Sequence, residues 1–248
     1  MLPIWDKPTI HYILEELVNA GITDILVLIG RGRECLQNYF DRNFELDCVL
    51  QSQRLNPFEH VNINYRRVPM SRGAADNIYH AKSFVGDEPF LVAYSDDIFF
   101  GNNASAELIA SFNKTNKVTI ATCKVPLHDA HNYGVVHKGQ IVEKPKSPAS
   151  NLVSCGRFVL KPAIFEVIEN ERKKIEEEVY WQKVSGSTAN SQVCMTRCLN
   201  ILGGFKPVKV SAKRFDVGTP FGLFKANQFF AKSLAQNPNV RQRRDELR

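Results

Sequence analysis

The chain has 248 residues, 44% of them hydrophobic and 23% charged, ordinary globular values and enough length to bury a large core within a single domain over 1–248. No apolar run is long enough to cross a bilayer, the six cysteines lack paired metal spacing, and Met1 leads straight into a proline-containing segment and an amphipathic helix. A membrane protein, a cysteine-held metal domain and a secreted protein are therefore set aside for a soluble, cytoplasmic chain with reduced thiols. The net charge of +6 suits an anionic partner, either nucleic acid or a phosphorylated small molecule. The densest basic run, RQRRDELR at 241–248, reads as part of a solvated tail from about 237, so nothing beyond charge speaks for nucleic acid and none is expected.

Residues 7–20 place Ile10, Ile13, Leu14, Leu17 and Val18 on one helical face, which Gly21 ends. Asp24 to Ile29 is an unbroken apolar run that predicts a buried strand, and Gly30-Arg31-Gly32 turns it into a helix over about 33–40. Residues 51–60, with Asn56-Pro57, read as a surface loop before a strand at 61–68. Ser71 to Asn77 is a small-residue turn opening a helix to about Phe84. Such residues let a ligand approach the backbone; an ordinary helix start with an acidic first turn is the competing account.

Phe90 to Phe100, FLVAYSDDIFF, contains an apolar strand that delivers two carboxylates, Asp96 and Asp97. Phe90 to Ala93 do not alternate with polar residues, so helices should cover both faces of their sheet, and ligands in such sheets sit beyond the carboxyl ends of strands. Adjacent side chains of an extended chain point to opposite faces. Asp96 is the one expected to face a ligand while Asp97 holds the turn, with an Asx-type turn closing a plain strand as the alternative.

A helix at 105–113 and a strand at 118–125 continue the alternation, which predicts a mostly parallel sheet with right-handed crossovers. Tyr133 to Pro145 then reads as a β-hairpin ending in Glu143 and Lys144, whose default role is a solvated pair. A strand at 152–160 precedes a helix whose nearly all-charged run, Glu169 to Glu178, reads as a solvated face. After a loop at 183–190 and a helix at 191–202, a strand over 206–215 delivers Asp216, with Gly218 and Thr219 closing the turn before a Phe-rich helix. Two carboxylates at strand ends beside a cleft suit a hard divalent cation such as Mg²⁺, with phosphate oxygens and water completing its shell.

Taken in order, MLPIWDKPTIHYILEE, GITDILVLIGRGR, YFDRNFEL, FVGDEPFLVAYSDDI, YGVV, VEKP, GRFVL and FDVGTPFGLFKAN resemble the bacterial-type glucose-1-phosphate uridylyltransferases of the sugar-phosphate nucleotidyltransferase superfamily. The resemblance runs from Met1 to about Phe230. It implies an α/β, Rossmann-like, mostly parallel mixed sheet flanked by helices, with a small β-hairpin region. It also implies Mg²⁺-dependent transfer of a uridylyl group from UTP to glucose 1-phosphate, giving UDP-glucose and pyrophosphate. By the same resemblance the metal falls to Asp96 and Asp216. Gly134 and Glu143 hold the sugar, Lys144 meets its phosphate as a catalytic group, and Gly73 lies under the nucleotide base. A homo-oligomer is compatible with it.

The sequence departs from the family pattern in four places. The family opens with a strand and a glycine-rich loop that grips the triphosphate, whereas the sequence given begins just after it, which predicts a gap in the sheet and weak UTP binding beside an intact sugar-phosphate half. Val68 stands where a base-reading glutamine is usual, Ala75 where a second glycine is usual, and Arg197, within Gln192 to Arg197, where an acid is usual. Two functions follow: a working nucleotidyltransferase, or a catalytically impaired homologue that binds sugar phosphate or assembles with active subunits.

Overall fold

The structure is a computed structural model that describes residues 3–40, 58, 60–185 and 192–235. Pro3–Ile4 (β1) and Lys7–Pro8 (β2) pair antiparallel across Trp5 and Asp6, so the first helix begins only at Thr9 and α1 spans Thr9–Asn19. It buries Ile13, Leu14 and Leu17, the face the spacing predicts. Asp24–Ile29 (β3) runs parallel to Asn62–Arg67 (β4) after α2, Cys35–Phe40. The loop expected at 51–60 and the tail from 237 lie wholly or largely outside the described residues.

The single helix expected up to Phe84 is two, α3 (Ala74–Tyr79) and α4 (Lys82–Val85). Between them the N–H groups of His80 and Ala81 donate to carbonyls three residues back, Asn77 and Ile78, a tightened turn that breaks the α repeat. Phe90–Ala93 (β5) is the predicted strand, but Asp97–Phe100 forms a further strand, β6, of its own. α5 (Ala104–Thr115) starts at Asn103, whose Oδ1 accepts the Ala106 N–H at 2.8 Å as an N-cap.

Thr119–Lys124 (β7) leads through a 3₁₀ turn, Leu127–Asn132, to Gly134–His137 (β8) and Gln140–Glu143 (β9). Lys138 and Gly139 both take positive φ, 47° and 77°, as a two-residue turn matched to strand twist requires. Leu152–Leu160 (β10), α6 (Ile164–Ser185), α7 (Met195–Leu202), Lys206–Lys209 (β11), Lys213–Asp216 (β12) and α8 (Pro220–Ala235) complete the chain. The strand expected over 206–215 is thus divided. Val210 and Ala212 bury beside Phe99 and Leu108 as the chain leaves β7, the partner of β11, for β6, the partner of β12.

β10 is antiparallel to both β5 and β7, and β11 is parallel to β7, so β5, β7 and β11 point one way and β10 opposes them. The expected mixed sheet with a parallel set is therefore present. Helices cover both faces, as the unbroken apolar runs require: Phe90, Val92, Ile120, Phe158 and Leu160 pack with Ile164, Ile168 and Leu199, while Leu91, Ala121 and Val159 pack with Leu108 and Phe112. Among the described residues β3 pairs only with β4 and β5 only with β10. Ile25, Val27, Leu91 and Ala93 share one apolar cluster, yet among the described residues no ladder joins their strands.

The charged run 169–178 is not simply a solvated face. Glu171 is 2% exposed and receives Arg197 Nε at 2.6 Å and Lys174 Nζ at 2.9 Å. Arg172 pairs with buried Asp76 at 2.7 Å over the ring of Tyr79, and Ile175 is buried between these charges. Buried carboxylates need such partners. No helix of the described residues is long and apolar enough to cross a membrane.

Candidate active site

β10 extends past the carboxyl end of β5: its second half pairs with β5 at Arg157 to Leu160, and on the same edge Val153 pairs with β8. The hairpin therefore continues the sheet from the point where the chain leaves β5 at Tyr94. This is where the sequence places the carboxylates. Asp97 is buried and takes the holding role expected of it, accepting the Gly156 N–H at 2.5 Å and Arg214 Nε at 2.6 Å. Asp96 is exposed, as expected of the ligand-facing residue.

β12 meets β6 in a register that sets Asp216 opposite Asp97, so Asp216 comes beside Asp96. A Cβ on Gly218 would stand 3.2 Å from Asp96 Oδ2 and 3.3 Å from Asp216 Oδ1. The two carboxylates thus converge on one glycine, which also donates its N–H to Asp216 Oδ1 at 3.2 Å. Desolvation, then the Asp97 charge, and to a smaller extent Asp216, push the Asp96 carboxyl above its ordinary range, while Arg214 opposes them. Like charges held together suit a cation between them. Among the described residues no cluster of three His, Cys, Asp or Glu could hold a metal. The donor set, two carboxylates with the other positions left to phosphate and water, fits Mg²⁺.

Arg214 joins this half of the site to the hairpin. Its Nη2 is 3.7 Å from Asp216 Oδ2, and its guanidinium lies 4.8 Å from the centre of the Tyr133 ring. Desolvation is the largest single influence and lowers its pKa, but the charge and hydrogen bond of Asp97 together with the neighbouring Cys155 and Cys123 outweigh it, and the guanidinium stays charged. Tyr133 precedes Gly134, and its carbonyl accepts the Lys144 N–H at 3.0 Å. Gly134 and Glu143 are directly opposed across the hairpin, so these two expected sugar contacts stand together. Lys144 takes a positive φ of 42° and extends into solvent. That backbone reversal after β9 separates its course from the strand direction of Glu143.

Gly73 adopts φ +120°, and a Cβ there would stand 2.8 Å from the Val193 carbonyl oxygen. The glycine therefore has a reason within the chain itself, the close approach of residues 192–193. That segment leads into α7, where Thr196 Oγ1 donates to Glu143 Oε2 at 2.5 Å. Asn200 Oδ1 accepts the Ile141 N–H at 2.9 Å and its Nδ2 donates to the Ile141 carbonyl at 2.7 Å, closing the outer edge of β9 as a neighbouring strand would. Arg214, Tyr133, Thr196 and Asn200 escape a sequence reading because their importance depends on partners far along the chain. Val68 is buried, and Arg197 is matched by Glu171.

Paired carboxylates and basic groups at the strand ends of a mixed sheet describe a protein that handles phosphates. The chain belongs to the nucleotidyl transferase family, whose model matches residues 1–233. Within it, the chain is similar to UTP–glucose-1-phosphate uridylyltransferase 1 of Streptococcus pyogenes serotype M3, at 34% identity over 270 residues, 98% of this chain and 83% of that protein. The solved structures similar to this chain include two with bound ligands. One is a UTP-bound UGPase from Acinetobacter baumannii, with TM-score 0.80 and 25% identity over 100% of this chain and 89% of that one. The other is a UDP-glucose pyrophosphorylase complexed with UDP-glucose, with TM-score 0.76 and 27% identity over 94% and 90%.

Proposed function

We propose that the chain transfers a uridylyl group from UTP to glucose 1-phosphate, giving UDP-glucose and pyrophosphate. The convergence of Asp96 and Asp216 on Gly218, joined through Arg214 and Tyr133 to the hairpin end at Lys144, is the observation that carries this reading. The names of its relatives agree with it. Asp96 and Asp216 would hold Mg²⁺, which when bound neutralises phosphate charge. Glu143 and Gly134 hold the sugar, Lys144 meets its phosphate, and the Gly73 turn receives the base. A phosphate oxygen of the sugar forms a bond to the α-phosphorus of UTP as the bond to the β-phosphate oxygen breaks and pyrophosphate leaves. The residues contribute positioning and charge stabilisation, and none need bond covalently to substrate. Pyrophosphate release with UTP, glucose 1-phosphate and Mg²⁺ tests the reading; no release beyond the uncatalysed rate rejects it.

A further inference from the structure

We propose that Arg157 is a positioning residue for the transfer: it holds both ends of the turn that carries Asp96 and so sets where that carboxylate meets Asp216. This rests on the reading of Asp96 and Asp216 as the cation-binding pair. Arg157, on β10, is 0% exposed. Its Nε and Nη2 fork onto Glu16 of α1 at 3.2 and 2.9 Å. The second Nη2 hydrogen goes to the Asp97 carbonyl at 3.0 Å, and Nη1 donates to the carbonyls of Tyr94 at 3.2 Å and Gly156 at 3.0 Å. All five donors of the guanidinium are used. Glu16 is completed by the N–H and hydroxyl of Ser105 at 3.1 and 2.6 Å.

Only Ser95 and Asp96 lie between the two gripped carbonyls. A buried ion pair alone would say little about function, because apolar residues of the same volume often stabilise as well. An apolar replacement could not hold Tyr94 and Asp97 by their carbonyls. Lysine, with its donors on one nitrogen, could meet Glu16 but could not span the turn as the planar fork does. Gly156 completes the clamp, because a Cβ there would stand 2.6 Å from Tyr94 Cβ and 3.0 Å from Asp97 Oδ2.

The test titrates Mn²⁺ calorimetrically into the full chain and into Arg157→Lys, Gly156→Ala and Asp96→Asn, each first checked by circular dichroism, and follows the Mg²⁺ dependence of pyrophosphate release. Folded Arg157→Lys should bind Mn²⁺ at least tenfold more weakly and need correspondingly more Mg²⁺, with the KM for glucose 1-phosphate unchanged. Gly156→Ala should move the same way without removing a polar group, and it decides the matter if Arg157→Lys does not fold. Wild-type Mn²⁺ affinity in the folded variants, with binding lost in Asp96→Asn, would overturn the positioning role. Wild-type affinity in Asp96→Asn would instead overturn the cation pair itself and the proposal with it.

Discussion

The N–H of Val217 donates to the carbonyl of Asp96 at 2.7 Å. This bond joins the two carboxylate-bearing turns, 120 positions apart in the chain, so Asp96 and Asp216 are fixed relative to each other by backbone rather than by flexible side chains. Val217 is itself buried in the cluster with Ile98 and Phe215. The core of this region therefore positions the site.

Asp96→Asn and Asp216→Asn should each lower Mg²⁺-dependent turnover by at least about a hundredfold, the scale of losing one preorganised charge contact at a reacting centre. Neither side chain belongs to the buried core, so thermal unfolding should stay close to wild type. Steady-state pyrophosphate release beside melting curves provides the check, and near-normal activity in either variant would dismiss the two-aspartate site.

Glu143→Ala and Lys144→Ala should weaken sugar-phosphate binding more than nucleotide binding. A charge-assisted contact is worth roughly 1.5–3 kcal/mol, so the Lys144 change should raise the KM for glucose 1-phosphate about ten- to a hundredfold. An equal rise for UTP would place the hairpin end elsewhere in the cleft.

Asn200→Ala removes both bonds to Ile141 and should loosen β9 two residues before Glu143. Each neutral bond contributes roughly 0.5–1.5 kcal/mol. The expected result is a several-fold higher KM for glucose 1-phosphate with that for UTP unchanged, together with faster hydrogen exchange at Ile141. Unchanged exchange there would show that the hairpin edge holds without this side chain.

The Glu15 carboxyl is held down to about 2 from its ordinary 4.5, first by its hydrogen bond with His11, with Lys7 assisting and burial opposing. A folded-state value below the unfolded one means the carboxylate favours folding above about pH 4.5, and that contribution is lost as the pH falls toward 2. Glu15→Gln should therefore lower the urea midpoint at neutral pH, and the difference from wild type should shrink below pH 4.5. A difference that stays constant down to pH 3 would show that the group titrates normally.

Local pattern alone was enough to mark α1, β3, β5, β10 and the β8–β9 hairpin, because each buries a face whose period is written in a few adjacent residues. The same pattern marked Asp96 and Asp216 at strand ends, whereas Gly134, Glu143 and Lys144 stood out only through the family resemblance, the pattern alone reading Glu143 and Lys144 as a solvated pair. The division of 206–215 into β11 and β12 was invisible to it, since an alternating run does not say that its two halves join different partners. The buried Glu171 within a charged run was hidden for a similar reason: a carboxylate is buried only where Arg197 and Lys174 arrive to meet it. Only the tertiary structure decided that Asp97 is held by Arg214 and Gly156, that Arg157 spans the turn, and that Gly73 is small because of Val193. These depend on contacts between residues dozens to more than a hundred positions apart, which side-chain periodicity cannot encode.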